Sequence, residues 1–144
     1  MPGTLTHAQI RKMAVEWYQK LDVHAPMVEI LPMLAEKGLH MKFPEATLSG
    51  LSGFEGWYQT VIRLFFDEQH QVRRVKSVIK GNRAKVKVVV RWAASRWRSP
   101  AACSDRIVAD AYQTWEVRLT KAGAPVITSY IVDRIVYAKG SARL

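Results

Sequence analysis

Hydrophobic positions recur at helical spacing near the start of the chain and at strand spacing towards its end. Ile10, Met13, Ala14, Trp17, Tyr18 and Leu21 fall three or four residues apart, so a helix through them carries a broad apolar stripe, with Arg11, Lys12, Glu16 and Gln19 largely off it. Thr6 and Gln9 have capping-box spacing, and Leu5 and Ile10 that of a hydrophobic staple, which predicts a helix opening at Thr6. Pro26, after Asp22-Val23-His24-Ala25, marks a break and suits a helix start. A short second helix is predicted from Met27 to Ala35, with Pro32 arguing against a long regular one and Gly38 as the stop. Leu39, Met41 and Phe43 then alternate with His40 and Lys42 as a half-buried strand does, and Pro44 makes that strand terminal or an edge.

Ser52 and Glu55 repeat the capping-box spacing and predict a third helix carrying Phe54, Trp57, Tyr58, Val61, Ile62, Leu64, Phe65 and Phe66. From about Gln71 the period moves towards two. Val72, Val75, Val78 and Ile79 do not alternate cleanly, which implies a bulge or a longer helix. After the turn signal Gly81-Asn82, Val86, Val88, Val90 and Trp92 share one strand face, opposed by Lys85, Lys87, Val89 and Arg91. Ile107, Ala109, Ala111, Gln113, Trp115, Val117 and Leu119 do the same on the next strand. Lys121 to Pro125 reads as a hairpin connection, and Val126 to Tyr137 as a last strand. Helices followed by successive antiparallel strands predict an α+β fold in which helices cover a curved sheet and leave an internal pocket.

The 144 residues suit one domain, 1–144, and show no internal repeat, low-complexity stretch or linker. No apolar run approaches the ~20 residues of a membrane span. The stretch Met1-Pro2-Gly3-Thr4 lacks the basic and apolar segments of a signal peptide, and the single Cys103 has no disulfide or metal-spaced companion. A cytoplasmic protein is therefore expected. The formal net charge of +10 raises the question of a nucleic-acid surface. However, the densest cationic groups, Arg73-Arg74-Val75-Lys76, Lys85-Val86-Lys87 and Arg96-Trp97-Arg98, are broken by strand-pattern residues. That favours a solvated outer sheet face, and an anionic small ligand is compatible with either reading.

Trp17 to Asp22, Leu31 and Leu34, Leu39-His40-Met41-Lys42-Phe43-Pro44, and Gly50 and Gly53 before a helix together resemble the opening half of the nuclear transport factor 2-like superfamily. Thr114-Trp115-Glu116-Val117-Arg118, followed by Gly123 and Pro125-Val126-Ile127, is similar to its last hairpin, so the resemblance spans nearly the whole chain through element order and spacing. It implies a cystatin-like cone: helices packed in the concave face of a strongly curved, mixed and mostly antiparallel sheet around an apolar cavity. Members include ketosteroid isomerase, SnoaL-like cyclases, dehydratases and non-catalytic modules, many of them dimers and many without a cofactor. Against ketosteroid isomerase, the Tyr donor falls on Trp17, the carboxylate base on Phe43 and the acidic donor on Trp115. Steroid isomerisation by that mechanism is thus excluded, because none of the three side chains supplies the required acid or base.

What remains is a set of aromatic rings. Trp17, Phe43, Trp57, Trp92, Trp115 and Tyr130 either line a cavity for a small apolar or aromatic ligand or fill the cone as core. Gln113, polar on an apolar face, requires a partner, either a ligand or a core group, and Tyr18 and Tyr58 present hydroxyls inward or at the helix edge. Asp22 reads as a turn or capping carboxylate. Asp133 and Arg134, being adjacent on a strand, are expected on opposite faces, with Asp133 the acid/base candidate if it is the inward one and Tyr18 the alternative. Arg134 would be the anion anchor if it were the inward one. His24, His40 and His70 show no paired carboxylate and no metal spacing, so no metal site and no cofactor are expected. Two functions follow. One is a SnoaL-like protein that binds, and acts without a cofactor on, a small apolar ligand; the other is a non-catalytic homodimeric module using the basic outer sheet, where Val89 interrupts the charge.

Overall fold

In the computed structural model the described residues are 3–144; Met1 and Pro2, the start of the stretch read above for a signal peptide, lie outside them. α1 (His7–Asp22) opens on the expected capping box: Thr6 Oγ1 accepts from the Gln9 backbone N–H at 3.1 Å, and Gln9 Oε1 accepts from the Thr6 N–H at 3.0 Å. Leu5 and Ile10 are both buried in the main core, as a staple requires. α2 (Met27–Ile30) passes into a 3-10 turn at Leu31–Met33 and ends short of Ala35. Pro32 supplies no backbone donor, and Leu34 is already extended, bridging in parallel to Ile127.

β1 (His40–Lys42) pairs antiparallel with β2 (Thr47–Ser49) and parallel with the last strand. β2 is not legible in the sequence, because Thr47-Leu48-Ser49 has a single apolar residue and so shows no alternation. α3 (Gly50–Leu64) starts before the expected Ser52, because the Gly50 N–H donates to Leu39 O at 2.9 Å and fixes the first turn against β1. Ser52 is thus inside the helix, and no side chain caps it. The helix stops at Leu64, and Phe65 and Phe66 already belong to β3 (Phe65–Lys80), which begins well before Gln71.

β4 (Arg83–Arg96), β5 (Asp105–Leu119) and β6 (Pro125–Tyr137) complete one curved, unclosed sheet in the order β2-β1-β6-β5-β4-β3. The inner face of β5 is the expected one, with Ile107, Ala109, Ala111, Gln113, Trp115, Val117 and Leu119 all buried. The uneven spacing in β3 has a definite cause. Val72 pairs with Val90 and Val75 with Val88, both inward, because Arg73 is an extra residue at a register shift; Val78 faces out opposite Lys85. A second shift, between Phe66 and Gln69, contains Asp67 in the left-handed region at φ 49°. The stripe of α1 and the buried Phe54 and Tyr58 of α3 close over the inner face, so the main core lies between helices and sheet. Among the described residues no helix is long and apolar enough to cross a membrane.

Candidate functional site

The two register shifts in β3 select what faces the helices. Phe65 is inward; the extra residue near Asp67 moves the inward phase to Glu68, His70 and Val72, and the extra Arg73 returns it to Val75 and Ile79. Two residues that an unbroken strand would turn outwards, Glu68 and His70, therefore reach a cavity under α1 and α3. This cavity holds about 100 Å³ for the centres of water-sized spheres, well above the ~10–15 Å³ that one water needs. Its wall joins Tyr18 and Leu21 of α1, Trp57 and Tyr58 of α3, Glu68 and His70 of β3, Trp92, Gln113 and Tyr130 of the sheet, and Phe43 after β1.

His70 has a carboxylate partner after all, and its partner is Asp22. Nδ1 lies 2.6 Å from Asp22 Oδ1, while the His70 backbone N–H donates to Asp22 Oδ2 at 3.1 Å. One carboxylate thus holds both the ring and the strand that carries it. Asp22 is the last residue of α1, where the negative end of the helix dipole disfavours an acid. The two donors from His70 offset that penalty, so Asp22 serves this pair and not a turn or helix cap. The ring is sandwiched by stacking on Tyr18, with centroids at 4.8 Å and planes 28° apart, and more loosely on Trp92 at 6.5 Å. The His70 side chain is 9% exposed, and its hydrogen bonds among the described residues use Nδ1 and the backbone N–H, leaving Nε2 without a protein partner. An ionised carboxylate only accepts, so the neutral ring carries its proton on Nδ1 and presents the Nε2 lone pair.

His24 is paired as well: its Nε2 lies 2.8 Å from Glu68 Oε1, with His24 held at φ 50°. Glu68 Oε2 accepts from the Trp92 indole at 3.0 Å. Of the three, His40, exposed on β1, is the one that fits the expectation, with no carboxylate partner among the described residues. Nothing in local spacing announces these pairs, since Asp22 and His70 stand 48 residues apart and His24 and Glu68 44. The one signal available was His70 in phase with Val72.

Gln113 finds its partner in the core while also touching the cavity. Its Oε1 accepts from Tyr18 Oη and from Trp115 Nε1, both at 3.0 Å. Because the single Tyr18 proton is committed to Gln113, Tyr130 donates to Tyr18 Oη at 3.0 Å. Burial pushes Tyr18 well above the usual tyrosine value, reinforced by the neighbouring Tyr130. Burial likewise pushes Tyr130 up to about 12, against opposing hydrogen bonds. Tyr58, raised to about 12 by burial and then by Glu68 and Glu29, donates to Ala25 O at 2.7 Å. These hydroxyls stay protonated, and Tyr18 acts as a fixed wall and stacking surface for His70.

The remaining predicted residues divide cleanly. Phe43 and Trp57 stack at 3.9 Å and 12°, with the Trp57 indole donating to Glu45 Oε1 at 2.9 Å, and both line the cavity, as do Trp92 and Tyr130. Trp17 and Trp115 are fully buried and do not reach it: Trp17 packs on Phe54 and Tyr130, and Trp115 stacks on Tyr130 at 5.0 Å. They are core. Asp133 and Arg134 overturn the opposite-faces expectation. Tyr112 pairs with Arg134 and Gln113 with Val132, which leaves Asp133 as an extra residue, so both side chains are exposed. Asp133 accepts from Thr114 Oγ1 at 2.7 Å and Arg134 lies 3.8 Å over the Tyr112 ring, both on the convex side and away from the cavity. Among the described residues no group of His, Cys, Asp and Glu has metal-binding geometry.

No family model and no curated relative matches the sequence. Solved structures match its shape. A protein of unknown function with a cystatin-like fold from Nostoc punctiforme covers 97% of this chain and 98% of its own, at 12% identity and TM-score 0.74. Hexachlorocyclohexane dehydrochlorinase LinA-type3 from Novosphingobium barchaimii covers 95% and 92%, at 11% identity and TM-score 0.74. A ketosteroid isomerase-like protein from Erwinia carotovora atroseptica covers 86% and 92%, at 13% identity and TM-score 0.68. The chain therefore has a cystatin-like α+β fold, with its helices on one face of a curved, unclosed mixed sheet.

The buried hydroxyls make a pH prediction. A tyrosine held neutral by the fold contributes stability that is intact below its unfolded value near 10 and is lost as pH rises through its folded value. With Tyr130 and Tyr58 at about 12, the urea midpoint should hold to about pH 10 and fall between there and about 12. A midpoint unchanged across that interval would contradict the buried hydroxyl arrangement.

Proposed function

We propose that this protein binds a small apolar or aromatic molecule in the cone and transfers a proton from it with His70 as general base. The single observation behind this reading is the Asp22–His70 pair, with Nε2 presented on an aromatic-walled cavity. Nε2 takes a proton from a carbon or oxygen of the bound molecule, and the electron pair left behind forms a double bond or expels a leaving group. The imidazolium that results sits against the Asp22 carboxylate, which stabilises it as it forms. Among the described residues no lysine or arginine lines the cavity to hold a lasting anion, so eliminations and proton shifts in which charge is dispersed or departs suit it best. That a dehydrochlorinase shares the fold is consistent with this class, and every step uses groups of the chain itself.

The test uses 5-nitrobenzisoxazole, a flat aromatic whose N–O bond breaks as a base removes its ring C–H proton, giving a coloured nitrile phenolate. The protein should accelerate the opening above an equal concentration of free imidazole. His70→Ala should lose about 10²–10⁴-fold of the excess rate, and Asp22→Asn a smaller part, with circular dichroism unchanged. Equal rates for wild type and His70→Ala would refute the role of His70.

A second reading concerns the convex face, where Val78, opposite Lys85, is 62% exposed and Val136, opposite Asp110, is 44% exposed. We propose that copies of the chain associate through it, which would remove these apolar groups from water. Light scattering in physiological salt should give twice the 16.4 kDa chain mass; a monomer at high concentration would exclude it.

A further inference from the structure

The cavity carries the opposite charge from its protein. The chain has a net charge of +10, yet among the described residues the cavity wall contains no lysine or arginine, and its carboxylates are those of Glu45 and Glu68. Each carboxylate is tied to a ring of the same wall: Glu45 Oε1 to the Trp57 indole at 2.9 Å, and Glu68 Oε2 to the Trp92 indole at 3.0 Å. An indole that donates to a carboxylate gains electron density over its face, which strengthens its attraction for a cation. Glu45 is exposed and its Oε2 has no protein donor, whereas the Glu68 side chain is 9% exposed and touches His24 on its outer side. The unpartnered Nε2 of the nine-tenths-buried His70 points to a ligand in the same space.

From this we infer that the ligand has an apolar body and a cationic head, an amine or quaternary ammonium, held by Trp57, Trp92, Glu45 and Glu68 while the body lies against Phe43 and Tyr130. The proposal deepens the reading of the cone as a ligand site and rests on it. It also removes the anionic ligand that the basic composition allowed, as far as this cavity is concerned. A carboxylate or phosphate entering here would meet two like charges and no countercharge. The cations of the chain sit elsewhere, with Lys85 and Lys87 exposed on the convex face.

Three probes of similar size decide the matter by calorimetry: benzyltrimethylammonium, benzyl alcohol and phenylacetate. The ammonium should bind roughly 3- to 30-fold more tightly than the alcohol, the range of a partly desolvated cation–π contact, and phenylacetate most weakly. Glu45→Gln and Glu68→Gln should each reduce the advantage of the ammonium over the alcohol while leaving alcohol binding within about twofold. Because Glu45 is exposed, its variant keeps the test valid even if Glu68→Gln does not fold. Equal binding of ammonium and alcohol, or an advantage untouched in Glu45→Gln, would overturn the cationic head and leave the apolar site standing. Tighter binding of phenylacetate would reverse the sign of the proposal. Binding of none of the three would remove the ligand site itself.

Discussion

One carboxylate joins the helical layer to the sheet at the point where the cavity forms. Asp22 ends α1 and accepts from both the ring and the backbone N–H of His70 on β3. Without it, His70 would have no reason to keep its ring flat against Tyr18, and the Nε2 lone pair would not be directed. The pair is partly shielded, with Asp22 25% and His70 9% exposed, so its hydrogen bonds are worth more than the same contacts in open water. It is also the contact most dependent on strand register, because a one-residue slip of β3 would turn His70 outwards.

The register in turn depends on two irregularities. Asp67, in the left-handed region, and Arg73, the extra residue opposite Val89 and Val90, bracket the segment in which Glu68, His70 and Val72 face inwards. A regular strand would have buried the intervening residues and exposed the histidine. The backbone cost at Asp67 therefore sits where it decides which side chains face the cavity. Around this window the walls are aromatic and carry carboxylates, while the lysines and arginines of the described residues lie outside the cavity wall. A strongly cationic chain thus has a cavity walled by rings and carboxylates.

Much of this fold could be read in the chain. α1 with its capping box, the alternation of β4 and β5, and the last hairpin follow from local pattern, and the order of elements carried the resemblance to the cone. Boundaries failed where tertiary contacts decided them: Gly50 anchored to Leu39 started α3 early, and Phe65 left the helix because it begins β3. The aromatic walls were half legible. Phe43, Trp57, Trp92 and Tyr130 reach the cavity, but Trp17 and Trp115 share the same periodicity and lie one layer deeper. The Asp22–His70 and His24–Glu68 pairs were invisible, since each joins an α1-proximal residue to a bulged strand far along the chain. Asp133 misled for the same reason in reverse, as alternation fails where a strand carries an extra residue.

The most direct measurement is imidazole nitrogen NMR of His70, assigned by comparison with a His70→Gln variant. A proton on Nδ1, lost or moved to Nε2 in Asp22→Asn, together with an Nε2 resonance that shifts when a small aromatic molecule binds, is the result the account predicts. A proton on Nε2 in the wild type, or an Nε2 indifferent to every molecule that enters the cone, would contradict it.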